Sequence, residues 1–322
     1  MRRILTIDGG GVRGIMPAVL LAELERVTSK PARETFDMVA GTSSGAVLAA
    51  GIAAGIPAAE IVGIYAERAR QVFRSIPLVS GIRRLVTGTL YDTGTLHELI
   101  REELGPAARD WNVNDAPIDL LITAKRVSDG MPWYFVRDNP ANSCRAGGFR
   151  LSHVVTASAA APTYFRPWRI VPIGELIDGG IGVAGNPAYQ ACVEAFEYTD
   201  RYRAADTLLV SLGTGKFLHR ERPRWLWPWV GWLLAELLRS PAEQQTELVH
   251  RHYPQVPFYR IDTELAREIG LDAVDRIGAL RSYGERLAAE VDWAAILEGR
   301  DERHRVTETT TLPREYCRLG PA

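Results

Sequence analysis

"ILTIDGGGVRGIM", residues 4–16, runs an apolar segment into an acid and three consecutive glycines. The pattern predicts a buried strand over Arg3–Ile7, a glycine turn, and a helix over Ile15–Val27 with Pro17 in its first turn. Gly9, Gly11 and Gly14 spell G-x-G-x-x-G, the fingerprint of a dinucleotide-binding loop. That use requires an acid at the carboxyl end of the second strand, about 20 residues on. Glu34 and Asp37 have roughly the right spacing, but they sit at or before the start of the predicted strand Phe36–Ala40. In a parallel sheet that is the wrong edge. A P-loop fits less well still, because the Lys-Ser/Thr ending is missing.

Gly41-Thr-Ser-Ser-Gly45 occupies the carboxyl end of that second strand and fits G-x-S-x-G with Ser43 at its centre. A sharp strand-to-helix turn lifts such a serine above the sheet, and flanking glycines let neighbouring backbone approach. The helix that follows, Ser44–Ala54, aims its positive end at developing negative charge. A plain glycine turn with Ser43 as helix cap is the bland alternative. With strands one and two as neighbours, the first loop gains a purpose. Gly10 and Gly11 are expected to offer backbone N–H groups as an oxyanion hole, with Arg13 bracing the loop.

A serine nucleophile needs a base. None of the six histidines, at 97, 153, 219, 250, 252 and 304, lies in a glycine-rich loop after a strand: 97, 250 and 252 fall in helical patterns, 219 and 304 in arginine-rich polar stretches. Asp178-Gly-Gly180 instead follows a short predicted strand, Leu176–Asp178, and is expected at the same sheet edge if that strand is parallel. Held dry beside Ser43, the Asp178 carboxyl would rise in pKa and accept the hydroxyl proton directly. A simple Asp-Gly turn is the alternative.

Along the rest of the chain, strand and helix signals alternate. Helices are expected over Ala58–Phe73, from a Thr95–Glu98 capping box to Leu104, from Asn186-Pro187 to Tyr198, after a second capping box at Ser240–Glu243, and around Leu280–Leu297. Strands are expected at Asp119–Lys125, Trp133–Val136, Thr207–Leu212 and Val256–Ile261, the first two joined as a hairpin around Asp129-Gly130. Alternation of this kind predicts an α/β fold with a mostly parallel central sheet and helices on both faces, in three layers. One domain over residues 1–298 and a polar tail over 299–322 account for the chain.

The three motifs together resemble the patatin-like phospholipases, whose members carry D-G-G-G-x-R-G, G-x-S-x-G and D-G-G or D-G-A. Here these are Asp8–Gly14, Gly41–Gly45 and Asp178–Gly180, in that order. "SAAAPTYF" at 158–165 and "SLGTG" at 211–215 are further echoes. The similarity covers residues 3–215 well and continues loosely to 297. One departure is Gly185-Asn186-Pro187, where many relatives have Asn-Asn-Pro. The resemblance implies a lipid acyl hydrolase using a serine–aspartate dyad, Ser43 and Asp178, with Gly10, Gly11 and Arg13 at the oxyanion and Gly9, Gly14, Gly41, Gly45, Gly179 and Gly180 as motif glycines. It implies no metal and no organic cofactor. Two other readings stand beside it: an α/β-hydrolase esterase with a histidine triad, and a catalytically silent module that senses a lipid or nucleotide.

Composition narrows the setting. The 322 residues are 46% hydrophobic and 24% charged, an ordinary soluble balance. A net charge of −1 gives no global field toward nucleic acid. Cys144, Cys192 and Cys317 form no metal or disulfide pattern, which fits a reducing compartment. The amino terminus lacks a signal-peptide pattern, and a cytoplasmic location is expected.

One segment points to a surface partner. Residues 216–238 hold four of the eight tryptophans, at 225, 227, 229 and 232, next to a basic stretch. As a helix, its apolar part would be about 20 Å long, short of a hydrocarbon core of about 30 Å. Tryptophans and basic residues favour a lipid–water boundary, so peripheral contact with the inner face of a membrane is expected. A core helix or the seam of a homodimer is the alternative. Changing Trp227, Trp229 and Trp232 to Ala is expected to abolish binding to anionic vesicles while a soluble short-chain ester is still cleaved. Unfolding of that variant, or unchanged vesicle binding, removes the membrane reading.

Overall fold

The structure is a computed structural model and describes residues 1–73, 88–139, 146–182, 184–217, 229 and 242–307. Most of the 216–238 segment and Ser240 of the second capping box therefore lie outside the described residues.

The first strand, β1 (Arg2–Ile7), gives way through a tight turn at Gly11–Gly14 to α1 (Ile15–Thr28). Next come β2 (Met38–Gly41), α2 (Ser44–Ala54), α3 (Ala58–Val72) and α4 (Thr93–Glu103). The hairpin β3 (Asp119–Arg126) and β4 (Pro132–Val136) precedes α5 (Leu151–Ala159), β5 (Trp168–Ile170) and β6 (Gly174–Asp178). The chain continues with α6 (Ala188–Glu197), β7 (Thr207–Leu212), β8 (Phe258–Ile261), α7 (Ile277–Glu290) and α8 (Trp293–Leu297).

Hydrogen-bonded neighbours run β5-β6-β3-β2-β1-β7-β8, with β4 also on β3. The strands β1, β2, β3, β7 and β8 are parallel. Alternate residues feed two cores. Leu5, Ile7, Val39, Leu120, Ile122, Val210 and Leu212 pack beneath α1 to α5, α7 and α8. Ile4, Met38, Ala40, Leu121 and Leu209 pack beneath α6 on the other face. The period of two in side-chain direction buries both faces of a central strand, and residues Ile4, Leu5, Thr6 and Ile7 are all fully buried. The expected three-layer α/β fold is the one observed.

Three local readings change. The helix before Leu104 starts at Thr93, because the Asp92 carboxylate accepts from the Thr95 N–H at 2.8 Å and so caps three residues earlier than Thr95 would. The expected helix around 280–297 is two, broken at Val291, with Asp292 capping the second through the Ala295 N–H at 3.0 Å. Past Leu297, the chain returns to the sheet edge: the Arg260 N–H donates to the His304 carbonyl and the Val306 N–H to the Phe258 carbonyl. These contacts reach beyond residue 298. No helix among the described residues is long and apolar enough to cross a membrane.

The third change concerns the site. β6 is antiparallel to β3, not parallel. Leu121 of β3 pairs with both Ala40 of β2 and Val136 of β4, so those two strands flank β3 on opposite sides. Ala124 pairs with both Trp133 of β4 and Asp178 of β6, so β6 shares the flank of β2. β2 leaves β3 at Ile122, and β6 arrives from the other direction and stops at Ala124. The carboxyl ends of β2 and β6 thus meet head to head, and Asp178 reaches the elbow by a route the parallel expectation did not contain.

Candidate active site

Ser43 sits between β2 and α2 with φ 56° and ψ −121°, a left-handed conformation that disfavours a non-glycine residue. Its surroundings hold it there. Ser43 N–H donates to Ser158 Oγ at 2.9 Å, and the Gly45 N–H closes the turn onto the Thr42 carbonyl at 2.7 Å. Gly45 is obligatory in this packing: a Cβ there would lie 2.2 Å from the Ile7 carbonyl oxygen, so only glycine lets α2 seat on the end of β1.

The Asp178 carboxyl, 4% exposed, accepts from the Gly180 N–H at 2.7 Å. Burial pushes it up to about 6, against the pull of the Ser43 side chain and the Gly180 N–H. The end of α5 anchors both partners. Ser158 takes the Ser43 N–H, and the Ala160 carbonyl takes the Asp178 N–H at 3.1 Å. The "SAAAP" stretch, legible only as an echo in the sequence, is therefore the bracket that holds serine and acid at one spacing.

The glycine loop is tied down at nearly every polar atom. Gly9 N–H donates to the Gly185 carbonyl and its carbonyl accepts from Thr214 Oγ1, each at 3.0 Å. The Gly10 N–H, expected at the oxyanion, donates here to Ser44 Oγ at 3.0 Å in a buried bond. The hydroxyl one residue beyond the nucleophile competes for that donor, and nothing in the local pattern signals a contact between residues 34 positions apart. Gly11, at φ +57°, has no partner for its N–H among the described residues, and neither has Ser44 at the start of α2. Arg13 braces the loop, with Nε and Nη1 donating to the Gly10 and Gly215 carbonyls at 3.4 Å each.

Arg260 is a residue the sequence reading missed. It reaches back from β8 to Asp8, donating from Nη1 to Oδ1 at 2.9 Å and from Nη2 to Oδ2 at 2.5 Å, and also binds Ser211 and Asp262. Burial pushes the Asp8 carboxyl up to about 6 despite this guanidinium. The signal was present as a lone arginine inside the otherwise apolar strand Phe258–Ile261, next to an aspartate.

Among the described residues no histidine contacts Ser43 or Asp178. His97 bonds Thr156 and stacks on Trp168, while His153 accepts from the Trp168 indole at 3.0 Å. His252 pairs with Tyr189 and His304 with Asp301. His219 lies outside the described residues. No group of three or more His, Cys, Asp or Glu among the described residues is placed to hold a metal.

Ser43 opens on a cavity of about 160 Å³ between α2, α3, α4 and the end of α5. Val47, Ile61, Ile64, Phe73, Leu99 and Phe165 are among its walls. The charged residues lining it, Arg68 and Glu103, pair with one another at 2.9 Å. An apolar pocket beginning at the Ser43 hydroxyl suits a ligand with a hydrocarbon chain.

Comparison with known proteins places this chain in a family. The Patatin-like phospholipase family profile matches residues 5–192, more than half of the chain, and the protein belongs to that family of serine lipid acyl hydrolases. Among its relatives, a cGAMP-activated phospholipase of Vibrio cholerae is 30% identical over 325 residues, covering 89% of this chain and 90% of that protein. A cGAMP-activated phospholipase of Pseudomonas aeruginosa is 29% identical over 301 residues, covering 88% and 86% respectively. Patatin-17 of Solanum cardiophyllum is 26% identical over 300 residues, covering 82% and 74%.

Proposed function

We propose that this protein is a phospholipase A-type enzyme that cleaves fatty acyl esters of membrane lipids with Ser43 as nucleophile and Asp178 as base. The convergence of the strained Ser43 and the buried Asp178, both anchored on the end of α5, carries the reading. Ser43 Oγ attacks the ester carbonyl carbon as its proton passes to Asp178. The tetrahedral oxyanion is held by the unengaged N–H groups of Gly11 and Ser44, with the positive end of α2 behind them. Loss of one such donor costs on the order of 10²–10³ in rate. Collapse expels the lysolipid alcohol, which takes the proton back from Asp178 and leaves an acyl-Ser43 ester. Water, deprotonated by Asp178, then releases the fatty acid.

The bacterial relatives bear activation by cGAMP in their names, and similarity along most of both chains supports the same switch here. The test is free fatty acid released from phospholipid vesicles, with and without cGAMP. The expected result is release that rises with cGAMP by roughly 5–150-fold, the range of ordinary allosteric coupling. No release under either condition overturns the hydrolase reading of the dyad. Release indifferent to cGAMP overturns only the switch.

A further inference from the structure

The helix α2 spends a glycine where its own fold needs none. Gly51 lies inside the helix, eight residues beyond Ser43. A mid-helix glycine costs roughly 0.5–1 kcal/mol relative to alanine. At Gly45 the reason is backbone contact, but at Gly51 it is not. A Cβ there would meet Ile61 Cδ1 at 3.1 Å, Ile61 Cγ1 at 3.7 Å and Ile56 Cδ1 at 3.8 Å, all of them side-chain atoms. The φ of Gly51 is that of an ordinary helix, open to any L-residue.

Gly51, Ile56 and Ile61 all line the cavity that starts at Ser43. Eight residues of helix span about 12 Å. At Gly51 the two isoleucines close against the helix itself, Ile61 Cδ1 lying 3.1 Å from where a Cβ would stand, and so end the apolar floor that starts at Ser43; a side chain there would crowd that end.

We infer that Gly51, with Ile56 and Ile61 as end wall, sets the length of acyl chain the enzyme accepts. The inference rests on Ser43 being the nucleophile, because the ruler is measured from the reacting carbonyl. Carbons that fit between Ser43 and the wall leave water for hydrocarbon, and each buried methylene is worth about fourfold in kcat/KM. Carbons beyond the wall gain nothing. A side chain at position 51 takes their place.

The test compares kcat/KM for p-nitrophenyl esters with acyl chains of graded length, from short to long. Gly51→Leu adds four carbons at the wall and is expected to lower the long-to-short ratio on the order of 50-fold or more. Gly51→Ala, which improves helix propensity and asks only Ile61 Cδ1 to shift, is expected to lower it by about fourfold. Ile61→Ala deepens the pocket and is expected to move the ratio the other way. Damage to folding cannot shift a ratio in opposite directions, and Gly51→Ala and Ile61→Ala decide the matter if Gly51→Leu does not fold. Equal loss on all chain lengths, or an unchanged profile in these variants, overturns the ruler. Adduct formation by a fluorophosphonate at Ser43 of the wild type, located by mass spectrometry, separates this from failure of the nucleophile assignment: without that adduct the ruler has no origin and falls with it.

Discussion

Ser43→Ala is expected to reduce phospholipid hydrolysis by on the order of 10⁵-fold or more, the scale seen when a serine nucleophile is removed from an intact site. The oxyanion donors and the acyl pocket survive the change, so substrate binding persists without turnover. A fluorophosphonate probe should form its adduct at Ser43 of the wild type and none with the variant. Labelling at Ser44, or activity above about one per cent in Ser43→Ala, is incompatible with the mechanism. The backbone adds an independent check. Ser43 sits at φ 56°, and residues held in such regions carry on the order of 1–3 kcal/mol of strain. Alanine keeps that strain and removes the side chain that favours the charged form of the buried Asp178, so Ser43→Ala should melt slightly lower than wild type. Glycine relieves it, and Ser43→Gly should be equally dead but melt higher than Ser43→Ala. Two variants equally without activity but ordered in stability by backbone strain separate the conformational cost of Ser43 from its chemistry.

What could be read from the sequence follows from the range of each contact. The strand–glycine–helix signal at residues 4–16 and the elbow at Gly41–Gly45 are local, and both stand in the structure where the pattern put them. Asp178 could be picked out by its Asp-Gly-Gly context, but the direction of β6 could not. Strand direction is decided by how the chain returns through α5 and β5, and a five-residue strand reads the same either way. The fate of the Gly10 N–H was hidden for a similar reason. G-x-S-x-G leaves its fourth position open, and only a hydroxyl there can claim the donor. Arg260 lies 252 positions from Asp8, and no periodicity links them. Even the local miss at Thr95 has a physical cause: Asp92-x-x-Thr95 and Thr95-x-x-Glu98 are overlapping capping patterns, and a carboxylate accepts both the N–H and the hydroxyl of Thr95.

Asp178→Asn is expected to lower kcat by on the order of 10⁴-fold, comparable to making an acid-to-amide change at a serine hydrolase site. The amide keeps the shape: its oxygen can still accept from the Gly180 N–H, and its NH₂ can face Ser43 Oγ. What it cannot do is take a proton. The wild-type rate should fall about tenfold per unit as pH drops below about 6, since the protonated Asp178 carboxyl is no longer a base. Asp8 is also pushed up to about 6, so this acid limb alone does not identify its owner. The residual activity of Asp178→Asn does: it should lose the bend near pH 6, and a bend that persists belongs to Asp8. Stability should move the opposite way to activity. Asp178 has its pKa raised from 3.8 to about 6 in the native state. Between those values the folded protein binds more protons than the unfolded chain, so the contribution of Asp178 to stability diminishes as pH rises through the window. Above pH 6 the ionised carboxylate costs about 3 kcal/mol relative to its protonated form in the same setting. The amide that replaces it carries no such charge. Asp178→Asn should therefore gain stability over the wild type at pH 8 and lose that advantage toward pH 4, measured by denaturant midpoints at both. A variant that is inactive because it is misfolded would be less stable at both pH values, and one that keeps its activity would return the base to a histidine.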